Sequence, residues 1–217
     1  MTDQSRPDLT LTDAWDNAYQ TPGWTPWDIG RPQPAFERLA RAGELRSPLL
    51  DSGCGTGEHA LMAAAHGLEA VGLDIAPTAV ARARAKAAER GLEVELVVGS
   101  ALELAALGRQ FATVLDCGVF HIFSDPLRER YVASLASVTQ PGSVLHLLCF
   151  SDLTPGDIGP RRITQQEIRD AFREGWVVER IEPERFEVNQ VESRLPERPH
   201  AWLSRIVRLD TRGSEQA

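Results

Sequence analysis

Residues 49–58 read Leu49-Leu50-Asp51-Ser52-Gly53-Cys54-Gly55-Thr56-Gly57-Glu58. A short apolar strand runs into a glycine-dense turn, and a helix-forming run from Glu58 to Ala65 follows. A strand, a turn and a helix in this order are the opening unit of an α/β sheet. Glycine accepts positive φ and carries no side chain, so the backbone of such a turn can press against a ligand. The helix start offers unpaired N–H groups to a polar ligand group. Asp51, at the end of the strand, can accept a hydrogen bond from an ammonium group.

A second acid follows at a telling distance. Val71-Gly72-Leu73-Asp74 reads as the end of the next strand. Asp74 lies about 20 residues beyond the turn, where an acid reaches ribose hydroxyls in such folds. The glycines are spaced GxGxG, at Gly53, Gly55 and Gly57, not the GxGxxG of a dinucleotide site. Glu58 adds a negative charge where a pyrophosphate would sit. A sulfonium ligand with an amino-acid tail has no phosphate to repel. Three other readings stay open: a tight turn with no ligand, an NAD or FAD site in an oxidoreductase, and a non-catalytic binding module.

Beyond the turn, short apolar runs alternate with helical segments, as in βα units around a mostly parallel sheet. Strands are expected at 48–50, 70–73, 94–98, 112–116, 144–150, 176–181 and 200–208, and helices at 58–65, 77–90, 126–139 and 165–174. Pro77 and Pro126 suit first helical turns, and Thr164 with Glu167 reads as a capping box. The last two strands lack a helix between them and suggest an antiparallel hairpin at one edge. Upstream, the first dozen residues are polar and expected to be mobile. A short helix is expected from Asp13 to Tyr19 and another from Pro34 to Ala42, ended by Gly43.

Composition narrows the partners. The chain has 217 residues, 42% hydrophobic and 25% charged, and suits one domain. A formal charge of −8 disfavours a nucleic-acid partner. Cys54, Cys117 and Cys149 form no CxxC pair, which argues against a disulfide framework or a cysteine zinc site and suits a cytoplasmic setting. His59, His66, His146 and His200 lack metal-ligand spacing, so no metal is expected. No signal peptide or membrane span is read. The expected partner is a small-molecule substrate, with the chain a monomer or homodimer.

The segment Asp51-Ser-Gly-Cys-Gly-Thr-Gly resembles motif I of the class I S-adenosylmethionine-dependent methyltransferases. The resemblance covers about residues 48 to 208. It implies a Rossmann-like α/β fold: a seven-stranded, mostly parallel sheet of order 3-2-1-4-5-7-6, strand 7 antiparallel, with helices on both faces. An N-terminal helical lid, residues 1–43, would precede the methyltransferase domain, 44–217. It implies S-adenosylmethionine as cofactor and S-adenosylhomocysteine as product. Asp51, Gly53, Cys54, Gly55 and Gly57 would hold the amino-acid end, with Asp74 and Ile75 at the ribose. Ser100 and Ala101 would border the adenine; serine stands where the family often has an acid.

Asp116-Cys117-Gly118-Val119-Phe120-His121-Ile122-Phe123 ends the fourth strand, beside the topological switch point where the reactive methyl would lie. Asp116 joins the cofactor contacts by the same resemblance. His121 is the catalytic candidate, as a base or as a group that orients substrate; packing in the cleft is the plainer alternative. Asp152 and Arg161, on the long loop after strand five, are candidates for polar substrate contacts.

Trp15, Tyr19 and Trp27 lie in an aromatic, proline-rich stretch that also holds Trp24. Aromatic faces attract a sulfonium cation and exclude water, although such residues can also simply cover a sheet edge. The run Trp15-Asp-x-x-Tyr19 followed by Pro26-Trp27-Asp28-x-Gly30 resembles the thiopurine and thiol methyltransferases and the bacterial enzymes that methylate heterocyclic toxins. The likeness makes the three aromatics cofactor-lid residues. It points to a hydroxyl or thiol on a small aromatic or heterocyclic molecule.

Overall fold

The computed structural model describes residues 7–21, 25–189 and 197–210. In chain order the elements are α1 (Pro7–Gln20), α2 (Pro34–Arg41), β1 (Leu49–Ser52), α3 (Glu58–Ala65), β2 (Ala70–Asp74), α4 (Pro77–Arg90) and β3 (Glu95–Val98). Then follow β4 (Phe111–Cys117), α5 (Asp125–Ser137), β5 (Thr139–Phe150), α6 (Gln165–Ala171), β6 (Trp176–Arg185) and β7 (His200–Arg208). The strands form one sheet of order β3-β2-β1-β4-β5-β7-β6, as the resemblance implies. The pairings from β3 across to β5 are parallel, and β7 runs antiparallel to both β5 and β6.

Alternating residues of the strands face two cores, which is why these runs are apolar throughout. Leu50, Val114, Leu145, Leu147 and Ile206 pack with Tyr131 and Leu135 of α5 and Ile168 of α6. Leu49, Leu115, Leu148 and Leu203 pack with Ala35, Phe36 and Leu39 of α2 on the other face. Register then aligns the carboxyl ends. Ser52 pairs with Leu73 on one side and with Asp116 on the other, so the acids that close β1, β2 and β4 share one edge of the sheet.

Three expectations are corrected. The first helix begins at Pro7, well before Asp13, because proline's fixed φ suits a first turn and nothing after it breaks the helix before Thr21. The fifth helix stops at Ser137. Thr139 turns its hydroxyl back to the Leu135 carbonyl, and the chain re-enters the sheet there, well before Val144. The sixth helix is short, ending at Ala171, although its Thr164–Glu167 capping box forms as read.

Candidate active site

The glycine turn is shaped by what lies against it. Gly53 has φ of +72°, and a β-carbon there would fall 2.1 Å from Val119 Cγ2. A β-carbon on Gly55 would fall 2.6 Å from the Tyr19 hydroxyl. Only glycine lets the turn sit between the β4 loop and the N-terminal aromatics. The Gly53 and Cys54 N–H groups donate to the Leu73 carbonyl, and Gly55 N–H donates to Asp74 Oδ2 at 2.7 Å. Asp74 Oδ1 accepts from Ala76 N–H at 2.9 Å. With Ile75 N–H a third backbone donor, the carboxylate keeps acceptor capacity for an incoming hydroxyl.

Asp51 is the unusual group. It is fully buried, and its Oδ2 accepts from Ala60 N–H at 3.1 Å. Its Oδ1 has no hydrogen-bond partner among the described residues. His59 Nδ1 lies 3.9 Å from it. His59 Nε2 accepts from Gln33 N–H, so the imidazole proton sits on Nδ1. Burial, with the Asp74 and Asp116 charges adding to it, raises the Asp51 pKa to about 7. Buried carboxylate oxygens are normally satisfied. Oδ1 is an acceptor suited to a cationic donor. The residues therefore fit an amino-acid ammonium group.

Around the turn, Ser100 caps the short 3₁₀ segment Ala101–Leu107 by accepting from Leu102 N–H, which leaves its hydroxyl proton to donate. Cys54 is buried, and burial pushes its thiol pKa up, so it contributes backbone and volume, not a thiolate. Glu58 pairs with Lys86, which also donates to Thr56 of the turn. Burial alone would hinder its ionisation, but hydrogen bonds from Arg90 and Lys86 hold its carboxyl below the usual range. It therefore stays ionised at the first position of α3, paired with Lys86 and Arg90 of α4.

The N-terminal aromatics meet over the turn. Trp27 Nε1–H donates to the Tyr19 hydroxyl at 3.0 Å, and the Trp15 and Trp27 rings lie edge to face at 5.5 Å. Tyr19 is buried while Trp27 is 40% exposed. Asp16 accepts from Thr78 N–H at the start of α4, and Thr56 donates to Asp28 at 2.8 Å, which ties the segment to the turn. Trp24 lies outside the described residues.

The β4 end builds the second wall. Asp116 accepts from Val119 N–H at 2.8 Å, Phe120 N–H at 3.1 Å and the Tyr131 hydroxyl at 2.9 Å. Burial raises its pKa to about 7. Its carboxylate thus anchors the loop that presses Val119 onto Gly53. His121 Nδ1 accepts from Phe150 N–H at 2.9 Å, so the neutral ring carries its proton on Nε2. Burial, with the Arg162 and Arg128 charges adding to it, lowers the His121 pKa to about 3. The ring packs between Phe150 and Phe186, at 5.1 and 6.0 Å.

Arg161, singled out from the sequence, pairs with Asp125 and Glu167 at the surface. Its neighbour Arg162 instead lies over the Phe150 ring at 5.4 Å. Asp152 accepts from Trp202 Nε1–H. Sequence reasoning missed Arg162, Phe186, Val119 and the Tyr131–Asp116 contact. A strand-end periodicity could have flagged Phe150; nothing local marks Phe186.

A sheet of this order, with an acid-floored glycine turn at the carboxyl end of β1, is the frame of a Rossmann-like ligand-binding enzyme. A family model described as a methyltransferase domain matches residues 49–142. A 2-heptyl-1-hydroxyquinolin-4(1H)-one methyltransferase of Mycobacteroides abscessus is 36% identical over 82% of this chain and 83% of its own. A solved structure from work on the conversion of a disulfide bond into a thioacetal group during echinomycin biosynthesis superposes with a TM-score of 0.82. It is 36% identical and covers 91% of this chain and 93% of that one. The Burkholderia thailandensis 1,6-didemethyltoxoflavin-N1-methyltransferase, solved with S-adenosylhomocysteine, gives 0.68 at 18% identity over 93% and 88%. The chain belongs to the S-adenosylmethionine-dependent methyltransferases, and S-adenosylmethionine is its cofactor.

Proposed function

We propose that this enzyme methylates a hydroxyl or thiol on a small aromatic or heterocyclic molecule. The observation that carries the reading is the juxtaposition at one sheet edge. Asp51 Oδ1, buried and unpartnered among the described residues, closes β1, and the His121–Phe150–Phe186 wall stands at the ends of β4 and β5. Flat rings stack against such a wall. The 36% identical relative named for a hydroxyquinolinone supports an aromatic heterocycle as acceptor, and the echinomycin structure supports sulfur as an alternative nucleophile.

In this reading Asp51 takes the ammonium of S-adenosylmethionine, and the backbone of Gly53, Cys54, Gly55 and Gly57 lines its amino-acid end. Asp74 receives the ribose hydroxyls with Ile75 alongside, and Ser100 and Ala101 border the adenine. Trp15, Tyr19 and Trp27 cover the site and keep water out. Asp116 is a positioning residue, holding the loop rather than the ligand. His121 orients the acceptor. The bound cofactor supplies an electrophilic methyl group on a sulfonium, and the protein supplies alignment of the acceptor with it.

The test is a panel assay with S-adenosylmethionine and four acceptors: a 1-hydroxyquinolin-4(1H)-one, a phenol, a thiophenol and an aromatic amine. Mass spectrometry and NMR locate the methyl. Transfer to oxygen or sulfur is expected; transfer to nitrogen alone, or to none of the four, contradicts the reading.

A further inference from the structure

Methyl transfer to a hydroxyl or thiol requires that its proton be lost, and among the described residues no group on the acceptor side of the cleft is placed to take it. His121 Nδ1, the basic atom of the neutral ring, already accepts from Phe150 N–H at 2.9 Å. The Nε2–H lies against Gly118, where a β-carbon would fall 3.1 Å from it. Among the described residues, the other titratable groups close by are no better placed. Asp116 is turned into its own loop and the Tyr131 hydroxyl. The thiols of half-buried Cys117 and buried Cys149 are pushed up in pKa by desolvation and held neutral.

The charges around the imidazole are positive instead. Arg162 approaches from the β5–α6 connection and lies over Phe150. Its guanidinium donates to the Thr154, Pro160 and Ile158 carbonyls, which are neutral, and the Asp157 charge on the same loop offsets it only in part, since burial still lowers the Arg162 pKa. Arg128 approaches from α5, buried over the Phe120 ring at 4.6 Å. Asp125 and Glu167 lie 3.5 and 3.7 Å from Arg128, but both also serve Arg161 at the surface. A buried N–H donor in the field of two cations stabilises an anion and opposes a proton acceptor.

We propose that the site takes its acceptor already ionised, as an oxygen or sulfur anion received by His121 Nε2–H and the field of Arg162 and Arg128. This deepens the acceptor reading above and rests on it. The class that follows is the acidic nucleophile: an N-hydroxy heterocycle, an electron-poor phenol or a thiophenol, in preference to an alkyl alcohol or alkyl thiol. The proton leaves to water before transfer. The acceptor's electron pair then forms the new O–C or S–C bond, and the pair of the broken C–S bond stays with the donor sulfur. The opposite charges cancel, and no proton remains to be removed.

The test uses the whole chain with S-adenosylhomocysteine bound, so that no turnover occurs. It is titrated with nitro- and halogen-substituted phenols and thiophenols of graded acidity. Absorbance reports which form is bound. The expected result is the anion's spectrum, with ionisation of the bound acceptor shifted about one pH unit below its solution value, within the range that a nearby opposite charge produces. Arg162→Gln shrinks the shift and Arg162→Lys restores it. His121→Asn keeps an acceptor for Phe150 N–H but loses Nε2–H, so it weakens anion binding several-fold. With S-adenosylmethionine, the midpoint of the kcat/KM–pH curve moves with each acceptor's own pKa. A bound neutral form, or one fixed midpoint for all acceptors that disappears in His121→Asn, overturns the proposal in favour of a base. Failure of every acceptor to bind removes the acceptor reading itself, and this inference with it.

Discussion

At the scale of single residues, Asp51 makes the strongest statement. Its folded-state pKa is raised to about 7 by burial, so at pH 6 the free protein carries it mostly protonated. A bound ammonium favours the carboxylate, so cofactor binding expels that proton. We expect release of close to one proton at pH 6 and almost none at pH 8, read by calorimetry in buffers of different ionisation enthalpy. Affinity for S-adenosylmethionine rises with pH up to about 7 and levels above it, at most about tenfold per unit below the plateau. Tyr131 is the second case. Tyr131→Phe leaves Asp116 Oδ2 one donor short in a buried site, a cost of about 1–3 kcal/mol. Because the loop it anchors carries His121, kcat is expected to fall more than KM rises for the acceptor. Equal loss in unfolding and no kinetic change would make Tyr131 merely structural. Residues of this kind divide by legibility. Asp51 and Asp74 stand out in the sequence because strand ends and glycine spacing mark them. Arg162 does not, because one position along a loop decides whether a guanidinium meets Phe150 or solvent, and no period governs a loop.

At the scale of elements, the N-terminal segment is tied to the rest of the fold by specific contacts. α1 is docked on α4 through Asp16 and through Arg82, which donates to the Tyr19 carbonyl at 2.7 Å. The following segment is held from the far side of the sheet, where Asn189 N–H donates to the Pro26 carbonyl at 2.7 Å. Trp27→Phe removes one hydrogen bond, worth about 1 kcal/mol, from a half-open aromatic contact. We expect several-fold weaker cofactor binding, with the melting temperature of the free protein lowered by no more than about 2–4 °C. An unchanged affinity would reduce the segment to a cover for the sheet edge. The elements themselves were largely legible. Strand and helix periods mark β1 to β4, and Pro77 and Thr164 mark helix starts. Misplaced ends have local causes: Thr139 bonds back to Leu135 and ends α5, while the register shift between Phe111 and Thr113 lets β5 begin before its apolar run. The contact of residues 26–33 with 187–189 bridges most of the chain length, and nothing in either segment's sequence announces the other.

At the scale of the whole molecule, the sheet divides the work. β3, β2 and β1 carry the glycine turn and the acids Asp51 and Asp74; β4 and β5, with β7 and β6 beyond them, carry the aromatic wall. Among the described residues no helix is long and apolar enough to cross a membrane. A ligand that bridges both halves binds the folded chain and not the unfolded one. At about one hundred times its Kd it adds about 2.7 kcal/mol, and a chain of this length gains about 2–4 °C per kcal/mol. S-adenosylhomocysteine at that concentration is therefore expected to raise the melting temperature by roughly 5–10 °C in a scanning experiment, whereas NAD is expected to leave it unchanged.

The most direct measurement is calorimetric titration of the intact protein and its Asp51→Asn variant with S-adenosylmethionine at pH 8. The side chains are nearly isosteric, and the variant retains an oxygen for Ala60 N–H, so folding is expected to be preserved. It loses the charge-assisted bond to the ammonium, about 1.5–3 kcal/mol or roughly tenfold to a hundredfold in affinity. One-to-one binding to the wild type, weakened by that factor in the variant, is the predicted result. Equal affinity in the two folded proteins would contradict the account, because the buried oxygen at the end of β1 would then not be what holds the cofactor.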